Sequence, residues 1–136
     1  MTSTVLGQSV LPPALDLLVR AAASPLPAAR RAWVSWRSAY DLDATAWPEV
    51  RLLGALAPRI DELEPGAEIA RRLLGIQKFL WTRGALCIGA TRPAVTLLTA
   101  HGIPCLMLKG AARAAQNPQT LRQRMIRDVD VLIPYD

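Results

Sequence analysis

The chain has 136 residues, 51% hydrophobic and 20% charged, with a formal net charge of +5, which suits one modest globular domain or part of a larger one. No low-complexity tract or internal repeat is present, and no apolar run reaches the ~18 residues of a membrane span. The nearest candidate, residues 84–100, is broken by Arg92 and Pro93; the N-terminus has no basic n-region, and Asp16 and Arg20 interrupt any signal-peptide core, so a cytoplasmic protein without a membrane partner is expected.

The first hundred residues read as helices. Leu11, Leu15, Leu18 and Val19 mark a first short helix, with Pro12 and Pro13 tolerable only in its opening turn. Ser24-Pro25-Leu26-Pro27 breaks it. The second helix carries Ala29, Trp33, Trp36 and Tyr40 along one face. Large aromatics at this spacing are expected to be core rather than a ligand box. Pro48 and Glu49 open a third helix, with Val50, Leu53, Leu56 and Ile60 on one side, and Pro58 should kink or end it. After the Pro65-Gly66 break, Ile69, Leu73, Ile76 and Leu80 predict the longest helix, to about Arg83, and a further helix is expected over about Pro93–His101.

After Gly102 the period changes. Ile103-Pro104-Cys105-Leu106-Met107-Leu108 is a continuous apolar run, suited to a strand covered on both faces. Lys109-Gly110 punctuates it, residues 111–115 form a short helix, and Asn117-Pro118 ends that helix. A basic loop leads to a second strand, in which Val129, Val131 and Ile133 alternate with Asp128, Asp130 and Leu132.

Asp128-Val129-Asp130 is the most informative motif. Aspartates at i, i+2 on a strand share a face, with Cα atoms roughly 6–7 Å apart, close enough for both carboxylates to hold one hard cation. The pattern is short, and Asp41-Leu42-Asp43 repeats it between two helices, where turn and helix-cap chemistry is the expected use. Context separates the two. From Lys109 to Arg127 there are five basic residues, Lys109, Arg113, Arg122, Arg124 and Arg127, and no acidic one. Cations beside a carboxylate pair suit a triphosphate carrying its own divalent ion. A nucleic-acid surface is disfavoured because no aromatic residue interleaves the charges. Cys87 and Cys105 lie in apolar runs without metal or redox spacing, so buried free thiols are expected. His101, before Gly102, has the position of a helix C-terminal histidine.

The segment Gly102-Ile103-Pro104, Leu108-Lys109-Gly110-Ala111-Ala112, Arg124 and Asp128-Val129-Asp130-Val131-Leu132-Ile133 resembles the uncharacterised bacterial nucleotidyltransferases of the polymerase-beta-like superfamily, over residues 102–136. The resemblance implies an α+β fold: a helical region over 1–101, then the first strand-helix-strand part of a nucleotidyltransferase domain over 102–136. It implies Mg²⁺ or Mn²⁺ held by Asp128 and Asp130 as catalytic ligands. An NTP would be bound by Lys109 and Arg124, with Gly110 allowing close backbone approach at a helix N-terminus. Three departures stand out. Lys-Gly replaces the superfamily's common Gly-Ser; Arg127 stands where a small residue is more usual and invites a pair with an aspartate; and the third carboxylate, expected on a later strand, has no counterpart before Asp136. The chain is therefore expected to be a fragment with an open sheet edge and no activity alone. The acceptor is not indicated. The rival reading is a non-catalytic helical adaptor or regulatory fragment whose basic loop binds an anion.

Overall fold

The computed structural model describes residues 10–135, with the side chains of Ala67 and Gln123 excepted. Residues 1–9, where a signal peptide was sought, and Asp136 lie outside the described residues. In chain order the elements are α1 (Pro13–Ala23), α2 (Leu26–Ala39), a 3-10 turn (Leu42–Ala44), α3 (Trp47–Leu56), a second 3-10 turn (Ala57–Arg59), α4 (Ile60–Leu63), α5 (Ala67–Ala100), β1 (Leu106–Met107), α6 (Lys109–Gln116), α7 (Thr120–Gln123) and β2 (Val131–Leu132). The fold is α+β, a helical N-terminal region followed by a strand-helix-strand segment.

Prolines set the helix boundaries. α1, α2 and α3 each carry a proline in the first turn, where its missing N–H costs no hydrogen bond. Pro58 divides α3 from α4 through a 3-10 turn, as its position predicted. The C-terminal carbonyls of α1 are capped from a distance: the Arg59 guanidinium donates to the carbonyls of Ala22 and Ser24, each at 2.9 Å, and of Ala21 at 3.3 Å.

The aromatic stripe of α2 is core. Trp33 and Trp36 are fully buried and stacked at 5.6 Å, and Tyr40 lies 5.9 Å from Trp36. They pack with Leu18, Leu53, Leu56, Ile60 and Leu73. The Trp33 indole N–H donates to Glu64 Oε2 at 2.7 Å, which removes the penalty of burying it unpaired. α3 meets α5 closely at Gly54, where a methyl group would collide with Leu80 Cδ1. Asp41 also behaves as expected: its side chain accepts the Asp43 N–H at 2.9 Å and caps the 3-10 turn, while Asp43 pairs with Arg72.

Several expectations need correction. The separate helices expected at 69–83 and 93–101 are one helix, α5, which runs through Pro93. Proline removes the bond to the Gly89 carbonyl, but Gly89 is exposed, so water can satisfy that oxygen. On its other side α5 is held by Cys87 and Ile88, which pack against Ala114, Leu121 and Ile126.

The strand expected over 103–108 is reduced to Leu106–Met107. The end of α5 explains why. His101 Nδ1–H donates to the Leu97 carbonyl at 2.9 Å, Gly102 has φ +73°, its N–H reaches the Thr99 carbonyl, and the Ile103 N–H reaches the Leu98 carbonyl. This is a Schellman cap. It consumes the Ile103 donor, and Pro104 has none, so the ladder cannot start before Cys105. Leu108 is already the N-cap of α6. β1 and β2 pair antiparallel, Leu106 opposite Leu132 and Met107 opposite Val131. Only one face is covered: Met107 and Val131 are half-buried, whereas Leu106 and Leu132 are 60% and 57% exposed. Cys87 and Cys105 are free, as expected, but half-buried rather than buried, because the strand segment around Cys105 is covered on one face only and Cys87 sits at the margin of its cluster. Among the described residues no helix is long and apolar enough to cross a membrane.

Candidate functional site

The junction between β1 and α6 builds the site. Leu108 is extended, and the next residue, Lys109, has φ +51°, a left-handed conformation that a lysine seldom adopts. This single residue turns the chain from the strand into the helix. Its side chain then reaches back, placing Nζ 2.9 Å from Asp130 Oδ2. The Leu108 N–H donates to the Asp130 carbonyl at 2.9 Å, so residues 108 and 109 grip Asp130 by both backbone and side chain. The Lys109 pKa is raised above the ordinary lysine value, first by the hydrogen bond the ammonium donates to Asp130 and then by the charge of Asp130; desolvation opposes this, and Asp128 adds the smallest push upward.

Beside this junction lies an open cleft of about 350 Å³. Lys109 and Gly110 come from the start of α6; Arg124, Met125, Ile126, Arg127 and Asp128 come from the loop before β2; Arg51 comes from α3. Ile126, 4% exposed, anchors the loop by packing with Ala114 and Leu121, which leaves its charged neighbours exposed. Gly110 favours this packing: a methyl group there would stand a tight 3.3 Å from Ile126 Cγ1. Its lack of a side chain thus lets the basic loop lie over the first turn of α6.

Lys109, Gly110, Arg124 and Asp128 therefore share one cleft. Asp130 adjoins it through the Lys109 pair. The two aspartates precede β2 rather than lying within it, since regular pairing begins at Val131. Among the described residues no group of three or more His, Cys, Asp or Glu side chains is arranged to hold a metal. The pair with an aspartate that Arg127 invited is made by Lys109 instead.

Arg51 was not legible as a site residue. It sits between Val50 and Leu52 on a helix read only for its apolar face, with no local motif to mark it. Only the docking of the loop beside α3 reveals it.

A family model described as uncharacterised nucleotidyltransferase matches residues 42–136. The match takes in α3, α4 and α5 as well as the strand-helix-strand segment, so Arg51 falls within it. No curated protein and no solved structure matches the chain. With the family model spanning most of its length, cleft included, this chain belongs to the family of uncharacterised nucleotidyltransferases.

Proposed function

We propose that the cleft binds the phosphates of a nucleoside triphosphate and supports Mg²⁺- or Mn²⁺-dependent transfer of its nucleotidyl group to an acceptor. The observation that carries this reading is the meeting of Asp128 with Lys109, Gly110 and Arg124 in one open, polar cleft. In that reaction the bond from the α-phosphorus to the bridging oxygen breaks, pyrophosphate leaves, and an acceptor oxygen bonds to phosphorus. Phosphoryl chemistry of this kind needs positioning and charge neutralisation more than covalent help from the protein.

The donor set suits a small hard cation. Asp128 is exposed and has no ion-pair or hydrogen-bond partner among the described residues, and Asp130 is two residues away. Mg²⁺ is commonly held by one or two carboxylates with substrate phosphates completing its shell, rather than by an all-protein cage. Asp128 and Asp130 would hold it; when bound it neutralises phosphate charge and increases the acidity of the acceptor hydroxyl. Lys109 then exchanges Asp130 for a phosphate oxygen, and Arg124 holds the polyphosphate by bidentate contact.

The test is metal-dependent NTP binding, with nucleotidyl transfer assayed alongside, for the natural sequence and for the Asp128→Ala, Asp130→Ala double variant. Binding that requires the metal and is lost in the variant is the expected result. Equal binding by both proteins would remove the metal site and the reading with it.

A further inference from the structure

We propose that Arg51 of α3 is a phosphate-binding residue, so that the helical region supplies one wall of the polyphosphate site. The inference rests on reading the cleft as the nucleotide site and extends that site beyond the segment in which the motif lies. The cleft lining carries four cations, Arg51, Lys109, Arg124 and Arg127, against one carboxylate, Asp128. Lys109 is engaged with Asp130, but Arg51, Arg124 and Arg127 have no ion-pair partner among the described residues. Arg20, Arg37, Arg59, Arg71 and Arg72 pair with carboxylates elsewhere; what sets the cleft apart is that three unpaired arginines line one concavity.

Like charges drawn into one concavity repel each other, and without an anion this arrangement is a net electrostatic cost. The cost is offset when a polyanion fills the cleft. The three arginines also arrive from two separate places, α3 and the loop before β2. A triphosphate tail carries enough anionic oxygens to meet cations from both places at once, more than a single phosphate can offer. Arg51 therefore discriminates by the length of the polyphosphate chain.

The experiment measures binding of inorganic tripolyphosphate, pyrophosphate and phosphate, and of ATP with Mg²⁺, to the whole chain by calorimetry. The proteins compared are the natural sequence, Arg51→Gln, Arg51→Lys and Arg31→Gln. Arg31, exposed on α2 away from the cleft, controls for net charge. The expected result is a loss of about tenfold or more in tripolyphosphate affinity for Arg51→Gln, from removal of a charge-assisted contact. Arg51→Lys should lose less, Arg31→Gln should match the natural protein, and phosphate binding should be equal in all four. An unfolding curve for each variant separates misfolding from lost contact, and Arg51→Lys preserves charge if Arg51→Gln unfolds. Equal tripolyphosphate binding by Arg51→Gln and the natural protein overturns the inference, even where Mg²⁺-dependent ATP binding still requires Asp128. Arg51-dependent tripolyphosphate binding without any nucleotidyl transfer upholds the inference while the proposed reaction fails. No binding of tripolyphosphate or ATP by the natural protein overturns both.

Discussion

Lys109 Nζ lies 2.9 Å from Asp130 Oδ2, and the backbone of the same lysine is left-handed, with φ +51°. The side chain that bridges to the proposed metal ligand thus stands on the one left-handed non-glycine backbone position among the described residues. A left-handed lysine is disfavoured relative to glycine, and an exposed ion pair returns little. Stability alone does not explain a lysine here.

Lys109→Gly separates the two roles. Glycine adopts this backbone without penalty, so the variant should unfold at the same temperature or up to about 2–4 °C higher. Its affinity for Mg²⁺·NTP should nevertheless fall by about tenfold. Mn²⁺ binding without nucleotide should tighten, because Asp130 is released from its partner. A thermal melt and an Mn²⁺ titration check the pair of outcomes; a lower melting temperature would mean that the lysine is kept for structure.

Asp128→Asn preserves shape at an exposed position with no partner, so unfolding free energy should change by no more than about 0.5 kcal/mol. Metal-dependent nucleotide binding should drop sharply because one oxygen ligand has lost its charge. Denaturant unfolding with and without Mg²⁺·ATP provides both measurements. In the variant the ligand-induced stabilisation should largely vanish.

The Lys109–Asp130 pair gives a pH signature. The lysine pKa is raised in the folded protein, by the Asp130 hydrogen bond first and its charge second. A raised folded pKa contributes stability that is complete below the unfolded lysine value, about 10.4, and fades as pH climbs through the higher folded value. The difference in melting temperature between the natural protein and Lys109→Gln should stay constant from about pH 7 to pH 9. It should shrink only at more alkaline pH. A difference that disappears near neutrality would show that the pair does not persist in solution.

Gly54→Ala probes the α3–α5 contact that carries Arg51. The added methyl meets Leu80 Cδ1, and Leu80 is fully buried with little room to move. Overpacking costs typically ~1–3 kcal/mol, only partly offset by the better helix propensity of alanine. A net destabilisation of about 1–2 kcal/mol is expected from chemical denaturation. If α3 shifts to relieve the clash, tripolyphosphate affinity should fall along with stability.

Local signals determined much of the chain. Proline positions set the starts of α1, α2 and α3 and the break at Pro58, because the ring acts on its own turn whatever surrounds it. Periodicity marked Trp33 and Trp36 as core, and spacing to the next helix marked Asp41 as a cap. The Lys109, Gly110, Arg124 and Asp128 cluster was also legible, since strand, turn and loop fold back within a short stretch. Tertiary structure decided the rest. Pro93 was compatible with a helix end and with a helix interior; α5 continues because its Cys87 and Ile88 pack against Ala114, Leu121 and Ile126 while Gly89 faces water. The length of β1 depended on which donors the cap of α5 had already taken. The partner of Asp130 depended on a lysine backbone conformation that composition does not reveal. Arg51 joined the cleft only through the docking of distant segments, a long-range relation that no local pattern of charge or period can encode.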